Sequence, residues 1–527
     1  MHLNPARERG DFGVETERCR NSRATHRSPR LRSGLFRLIS AVVLATIVPH
    51  TTIVSAADDS RPNILWIFVD DMSANFSCYG EKTIQTPAVD GLAAEGVQFR
   101  KAFVTAPVCS PCRSALITGM YQTSIGAHNH RSGRGVEKIY LPDGVEPVPV
   151  TFQRAGYYTC IGGAPGEGKQ GKTDYNFEYD KKMYDGADWA DRKPGQPFFA
   201  QVQLHGGKHR GGSVNDKWKD RVRSMLGSTT NPADVQLPPY YPRDEVILDD
   251  WAQYLDSVRW TDREVSEVLD RLRLEGILDN TYVFFMTDHG ISHARGKQFL
   301  YEEGIHVPLV VRGPTIKPGT AREDLVLQID LAATSLGLAG IEIPKKMQGQ
   351  NILAADYHPR DAIYAARDRC DETVEHIRAV RTQQFKYIRN FYPDRPHLQP
   401  NKYKDGKHIV KRLRELHAEG KLDAVQELIF APTRPREELY DLNSDPYEIK
   451  NLAADPAYAS TLAELRGKLD KWIVDSGDLG NTPESMAMYD SDMAVYLNER
   501  GNAKKKKDNS ETERNIALMK QWAAEGK

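Results

Sequence analysis

Residues 64–69 form an unbroken apolar run that ends on Asp70-Asp71. A run of strand length without polar alternation marks a strand buried on both faces, and open α/β sheets place their chemistry at the carboxyl end of such strands. Thr86-Pro87 then supplies an N-cap and a proline at the first helical position. Val89, Leu92 and Ala93 make one apolar face, and Gly96 stops the helix. Further strands are expected at 198–204, 282–286 and 307–311, with long helices around 251–272 and 331–338. The alternation predicts a doubly wound α/β domain. From about Ala362 the texture changes: 377–382 and 385–390 read as paired strands and 462–472 as an amphipathic helix. A boundary near residue 355 therefore separates a large domain, 58–355, from a smaller C-terminal α+β subdomain, 356–480, built of an antiparallel sheet plus a helix. Residues 481–527 read as a polar tail, and no internal repeat is visible.

The N-terminal segment has a different pattern. Its first 33 residues are rich in arginine and contain Pro5 and Pro29; the apolar run 38–48 that follows is too short to span a bilayer. Ser55-Ala56-Ala57 then offers small residues for cleavage, so 1–57 reads as a signal peptide and the mature chain as exported, periplasmic or secreted, without stable membrane insertion. The segment carries nine arginines against four acids, so its removal takes the net charge from −1 to −6. No basic excess calls for nucleic acid. The run 504–507, four lysines among polar residues, reads as solvated chain. At 527 residues, 40% apolar and 27% charged, the chain has ample core material for a globular protein of more than one domain. Five of the six cysteines remain after leader removal, and an odd number in an exported protein points to a free or modified thiol.

Candidate chemistry concentrates at Cys109-Ser110-Pro111-Cys112-Arg113-Ser114-Ala115-Leu116-Ile117-Thr118-Gly119. One reading takes Cys109 and Cys112 as a redox pair, half a zinc site or a structural disulfide. A redox pair belongs between a strand and a helix of a thioredoxin-like unit, and a zinc site needs a second C-x-x-C, which the chain lacks. The other reading is family resemblance. The segment is similar to the sulfatase signature C-x-P-S-R-x-x-x-L-T-G, departing from it at Cys112 and Ile117 and keeping the C-x-P-x-R frame. Other segments resemble sulfatases in the same order along the chain: Arg61-Pro62-Asn63-Ile64-Leu65 through Asp70-Asp71, Thr287-Asp288-His289-Gly290, Gly296-Lys297 with Tyr301 through Pro308, Ile329-Asp330-Leu331, and Glu438 through Leu442 continuing to Asn451-Leu452.

The resemblance implies an alkaline-phosphatase-like fold and hydrolysis of sulfate esters. It implies a formylglycine made from Cys109 by a formylglycine-generating enzyme before folding. It also implies a metal site of Asp70, Asp71, Asp288, His289 and the modified Cys109. Hard carboxylate oxygens suit calcium, with magnesium the alternative. Arg113 would hold the nucleophile, Asp288 would accept its proton, and Lys172 and Lys297 would bind sulfate. Two positions depart from the family pattern. Aspartate stands at Asp174 where Gly-Lys-x-His has its histidine, leaving Asp174, His128 or His130 to assist collapse of the adduct. For the leaving-group acid, ungapped counting from Pro197 falls on Lys208; a one-residue shift selects His209, the preferred assignment, and His205 is adjacent. An exported enzyme of this kind would meet sulfated carbohydrate. Its rivals are a phosphodiesterase or phosphonate monoester hydrolase of the same superfamily, an inactive glycan-binding homologue, and a thiol oxidoreductase.

Overall fold

The computed structural model describes residues 61–210, 216–501 and 508–527. Residues 1–57, read from the sequence as a signal peptide, and the lysine run 504–507 lie outside the described residues. Asp59–Lys527 forms one compact unit. Its centre is an eight-stranded mixed sheet of β1 (Asn63–Val69), β2 (Val97–Phe103), β3 (Tyr158–Gly162), β4 (Phe198–Leu204), β5 (Thr281–Thr287), β6 (His306–Arg312), β7 (Thr320–Arg322) and β8 (Val326–Leu327). The order is β3-β4-β1-β5-β6-β2-β7, with β8 also on β2. β1, β3, β4 and β5 run parallel, and β6 is antiparallel to both of its neighbours, β5 and β2. Every residue of β1, β4 and β5 is buried, as expected for central strands covered by helices on both faces.

The pairing continues past the strand ends. Asp70 N donates to Leu204 O (3.2 Å) and Asp288 N to Val69 O (2.8 Å), so the residues following β1, β4 and β5 leave the sheet at one place. Helix Pro87–Glu95 begins where Pro87 directs it, but Thr86 does not cap it. The Thr86 hydroxyl bonds Ser77 and Asp90, and the free amides of Ala88 and Val89 donate instead to Asp262, from the long helix Glu245–Leu274 (3.1 and 2.8 Å). At the other end Gly96 is required by space: a Cβ there would stand 2.3 Å from Val311 O.

The second sheet contains β9 (Ala362–Arg367), β10 (Ile377–Thr382), β11 (Phe385–Asn390) and β12 (Glu437–Asp441), antiparallel in the order β12-β11-β10-β9. Helix Ala459–Asp475 packs on it through Leu462, Leu465, Leu469 and Trp472. The segment read as a polar tail instead carries helices Met486–Gly501 and Ser510–Ala524. Tyr489, Met493 and Tyr496, at i, i+4 and i+7, are buried with Met519. The spacing is helical, but its polar flanks mask it. Arg369, 1% exposed, pairs with Glu484 (2.7 Å) and Asp492 (2.6 Å) of this segment. No helix among the described residues is long and apolar enough to cross a membrane.

Candidate active site

Cys109 is the first residue of helix Cys109–Thr118, which follows β2 and is buried throughout. Residues four apart share a helix face, so Arg113 lies one turn behind Cys109. Cys109 Sγ accepts from Lys297 Nζ at 3.0 Å, lies 3.6 Å from Lys208 Nζ, and approaches His289 Nε2 (3.2 Å) and Asp71 Oδ1 (3.7 Å). Burial alone would raise the Cys109 pKa; Lys172, Lys208, Lys297 and His289 outweigh it and hold the thiol well below its ordinary value. Cys112 is also buried, and with Asp288 nearby it is pushed well above the thiol range. Two thiols of one motif thus face opposite environments, one electropositive and one in the apolar core. All five described cysteines are unpaired.

The carboxylates arrive from the ends of β1 and β5. A donor atom from each of Asp71, Cys109, Asp288 and His289 lies within 4.8 Å of the others, all buried. Asp71 N donates to Asp288 Oδ1 (2.9 Å), and Asp71 itself accepts from Lys297 (3.0 Å) and from the Tyr403 hydroxyl (2.9 Å). Asp70, the fifth expected ligand, turns its carboxylate to Arg113, Lys172 (3.4 Å) and Lys208. Burial, aided by Asp70 and Cys109, raises the Asp288 pKa to about 7 against the opposing charges of His289 and Arg113. Arg113 also bonds Gln203 of β4, Asp288 Oδ2 (3.4 Å) and Lys172 O (3.3 Å), so it is held fixed one turn behind Cys109.

The preferred leaving-group acid is not brought to this centre. His209 lies 3.1 Å from Glu264, stacked on Trp218, and His205 lies 3.5 Å from Glu167. Lys208 points at Cys109 instead. Gly206 and Gly207 decide this: a Cβ on either would meet the backbone oxygen of Asp70 or Asp71 at 2.2 Å, and Gly207 N donates to Asp70 O (2.9 Å). The glycines let the turn lie flat on the end of β1, and only the residue after them is aimed into the site.

Asp174 pairs with Lys172 (3.1 Å) and with Arg134. Together with His130 it has a donor atom within 4.8 Å of Cys109 Sγ. His130 Nδ1 lies 3.1 Å from Asp371. Burial lowers the His130 pKa and Asp371 offsets part of that. His128 is elsewhere, under the charges of Arg378 and Asp478, with its pKa lowered to about 4 mainly by burial.

Five of the six non-glycine residues with left-handed backbone among the described residues, Asp71, Arg131, Asp174, Gln298 and Asp371, belong to this site or adjoin it. Such conformations cost about 1–3 kcal/mol each and persist where surrounding structure dictates them, which is characteristic of functional sites. Gln203, Asp371 and Tyr403 were not singled out in the sequence. None carries a local motif; Asp371 arrives because His130 N donates to Arg369 O (2.8 Å), joining two segments 239 residues apart.

A buried cysteine among cations at a helix N-terminus and carboxylates at the ends of parallel strands define a hydrolase of anionic esters on an alkaline-phosphatase-like fold. The family model "Sulfatase" matches residues 62–341, and "N-sulphoglucosamine sulphohydrolase, C-terminal" matches 289–403. The chain belongs to the sulfatase family and is a sulfuric ester hydrolase. It is 34% identical to an ulvan-active sulfatase of Formosa agariphila over 81% of this chain and 77% of that protein. It is 27% identical to the human N-sulphoglucosamine sulphohydrolase over 80% and 91%. The solved structure of BT4656 in complex with its substrate D-glucosamine-2-N,6-O-disulfate matches with a TM-score of 0.54 at 21% identity, covering 79% of this chain and 98% of that one.

Proposed function

We propose that the protein is an exported enzyme that releases sulfate from sulfated carbohydrate, using a formylglycine made from Cys109 and a calcium ion. The observation that carries this reading is the convergence of Lys297, Lys208, His289 and Asp71 on the Cys109 side chain. The donor set fits the cation: Asp71 and Asp288 supply buried hard oxygens, His289 adds a nitrogen, and Asp70 adjoins them. Cys109 Sγ marks where the oxygens of a hydrated aldehyde would stand. When present, the cation and the aldehyde hydrate would supply Lewis acidity and a nucleophilic hydroxyl.

The chain's own groups do the rest. Lys297, Lys208 and Lys172 present positive charge to the sulfate oxygens, where negative charge develops in the transition state. Arg113 keeps the nucleophile position fixed through Asp70, Asp288 and Gln203. Lys208, rather than His209, is placed to hydrogen-bond the departing oxygen. His130, oriented by Asp371, is the group beside Cys109 able to move a proton during release of sulfate, in the role left open by Asp174. The sulfated-glycan substrates named for the relatives support the choice of carbohydrate.

The test is peptide mass spectrometry across Cys109 on protein from its native host, combined with sulfate release from sulfated oligosaccharides. An aldehyde at 109 and free sulfate are expected. An unmodified thiol on active protein would overturn the nucleophile, and faster turnover of an aryl phosphate diester than of the matched aryl sulfate would favour the phosphonate-hydrolase branch.

A further inference from the structure

A second constellation of metal-binding side chains lies on the far side of the Lys208 turn. A ring nitrogen of His205, a ring nitrogen of His209 and a carboxylate oxygen of Glu264 all lie within 4.8 Å of one another. His205 and His209 bracket the 3-10 turn Gly206–Lys208, whose left-handed Gly206 folds the chain back so that the two rings lie 5.1 Å apart at their centroids. Glu264 reaches them from helix Glu245–Leu274.

We propose that His205, His209 and Glu264 form a binding site for a transition-metal cation of the zinc type, separate from the catalytic centre. Two imidazoles and one carboxylate suit such a cation far better than calcium, which takes oxygen ligands. Zinc holds ligands at about 2.0–2.2 Å, which puts neighbouring donors about 3–3.5 Å apart, so side-chain adjustment within one rotamer closes the site. His209 Nε2 and Glu264 are already at 3.1 Å.

The surroundings have the features of a supported ligand set. Glu264 accepts from Trp260 Nε1 (3.1 Å), which orients the carboxylate, and His209 is stacked on Trp218 at 11°. His205 Nε2 faces Glu167 at 3.5 Å, whereas its Nδ1 is buried and has no hydrogen-bond partner among the described residues. An ion held at that nitrogen would leave Glu167 against the opposite one, the carboxylate–histidine pairing that orients a ligating imidazole. An ion pair between His209 and Glu264 alone would leave His205 unexplained. The His205 side chain is 42% exposed against 9% for His209, so an ion would approach from the His205 side. Because Lys208 lies between the two histidines, an ion here would clamp the turn that presents it to Cys109.

The experiment uses full-length protein saturated with calcium and titrated with Zn2+ against a chromophoric chelator, with Co2+ absorption as a spectroscopic probe. One zinc per chain beyond calcium is expected, with Kd of about 1 μM or tighter. H205A and E264Q should each weaken it by about 100-fold, with calcium content unchanged. H205A alters a half-exposed side chain, and E264Q keeps the acceptor for Trp260, so an unchanged melting curve for either variant separates lost binding from lost fold. Wild-type amides of 205–209 should also exchange more slowly when zinc is bound. The proposal is overturned if no zinc binds beyond calcium, if zinc merely displaces calcium, or if both variants bind it as wild type does. None of these outcomes depends on the sulfatase chemistry proposed above.

Discussion

Lys208 Nζ stands 3.6 Å from Cys109 Sγ, while the next residue, His209, turns away to Glu264. K208A should therefore lower kcat on an alkyl sulfate by about 10²–10³-fold, the range for loss of a positioned proton donor. On a nitrophenyl sulfate, whose leaving group needs no proton, the loss should be about tenfold. H209A should change kcat by less than about tenfold and act on stability instead, by about 1–2 kcal/mol. Equal losses for both variants on both substrates would exclude Lys208 from the departing oxygen.

C109A removes a side chain on which Lys297, Lys208 and His289 converge, and leaves Asp71, which they also approach, in place. Sulfate release should fall by about 10⁴-fold or more, since loss of a nucleophile leaves only the binding groups' residual effect. Thermal melting should stay within a few degrees. Steady-state kinetics and calorimetry on one preparation check both statements.

His130 and Asp371 are 3.1 Å apart, and His130 adjoins Cys109. H130A is expected to reduce kcat by about 10²-fold, and D371N by somewhat less, because the imidazole is then present but poorly oriented. If release of sulfate is the step affected, both variants should accumulate modified enzyme in pre-steady-state mixing while KM falls. A rise in KM at constant kcat would instead make the pair a binding element.

Deleting 484–527 strips Arg369 of Glu484 and Asp492, the two carboxylates that pair its guanidinium, which is 1% exposed in the intact chain. An uncompensated buried charge costs about 3–5 kcal/mol. Urea unfolding should show a loss of that order, and activity should drop as well, because Arg369 O anchors His130. A truncated protein with unchanged midpoint and activity would return this segment to the status of a tail.

Asp262 caps helix Pro87–Glu95, and burial raises its pKa to about 6 despite two backbone donors. Its carboxyl binds protons more tightly in the folded chain than in the unfolded one, where the value is about 4. Its contribution therefore falls as pH rises from about 4 to about 6 and stays low above that. D262N keeps an oxygen for the amides and removes the cost of ionisation. It should be more stable than wild type at pH 7.5, with the difference vanishing near pH 4, as read from melting temperatures across that range.

Much of this molecule was legible in its residues. The central strands β1 and β5 are nearly continuous apolar runs, and the paired strands of the second sheet intersperse apolar residues with Arg378, Arg381, Lys386 and Arg389; burial on both faces or on one demands those patterns wherever the chain places them. The Cys109 motif and the aspartate pairs were legible too, since local chemistry at strand ends and a helix start carries its own signature. Other features had no local trace. Whether Lys208 or His209 faces the nucleophile depends on how Gly206 and Gly207 lie against Asp70 and Asp71. Asp371 and Tyr403 enter the site from connections more than two hundred residues away from Cys109, and Asp262 caps a helix that Thr86 was expected to cap. The helices beyond residue 485 bury Tyr489, Asp492, Met493 and Tyr496 in the first and Thr512, Asn515 and Met519 in the second, a half-polar pattern too sparse to read without the surface they cover. Sequence determined the elements and the Cys109 motif because burial and backbone geometry act locally; tertiary structure decided the partners, because charge and hydrogen bonding act through space between segments that the chain order keeps apart.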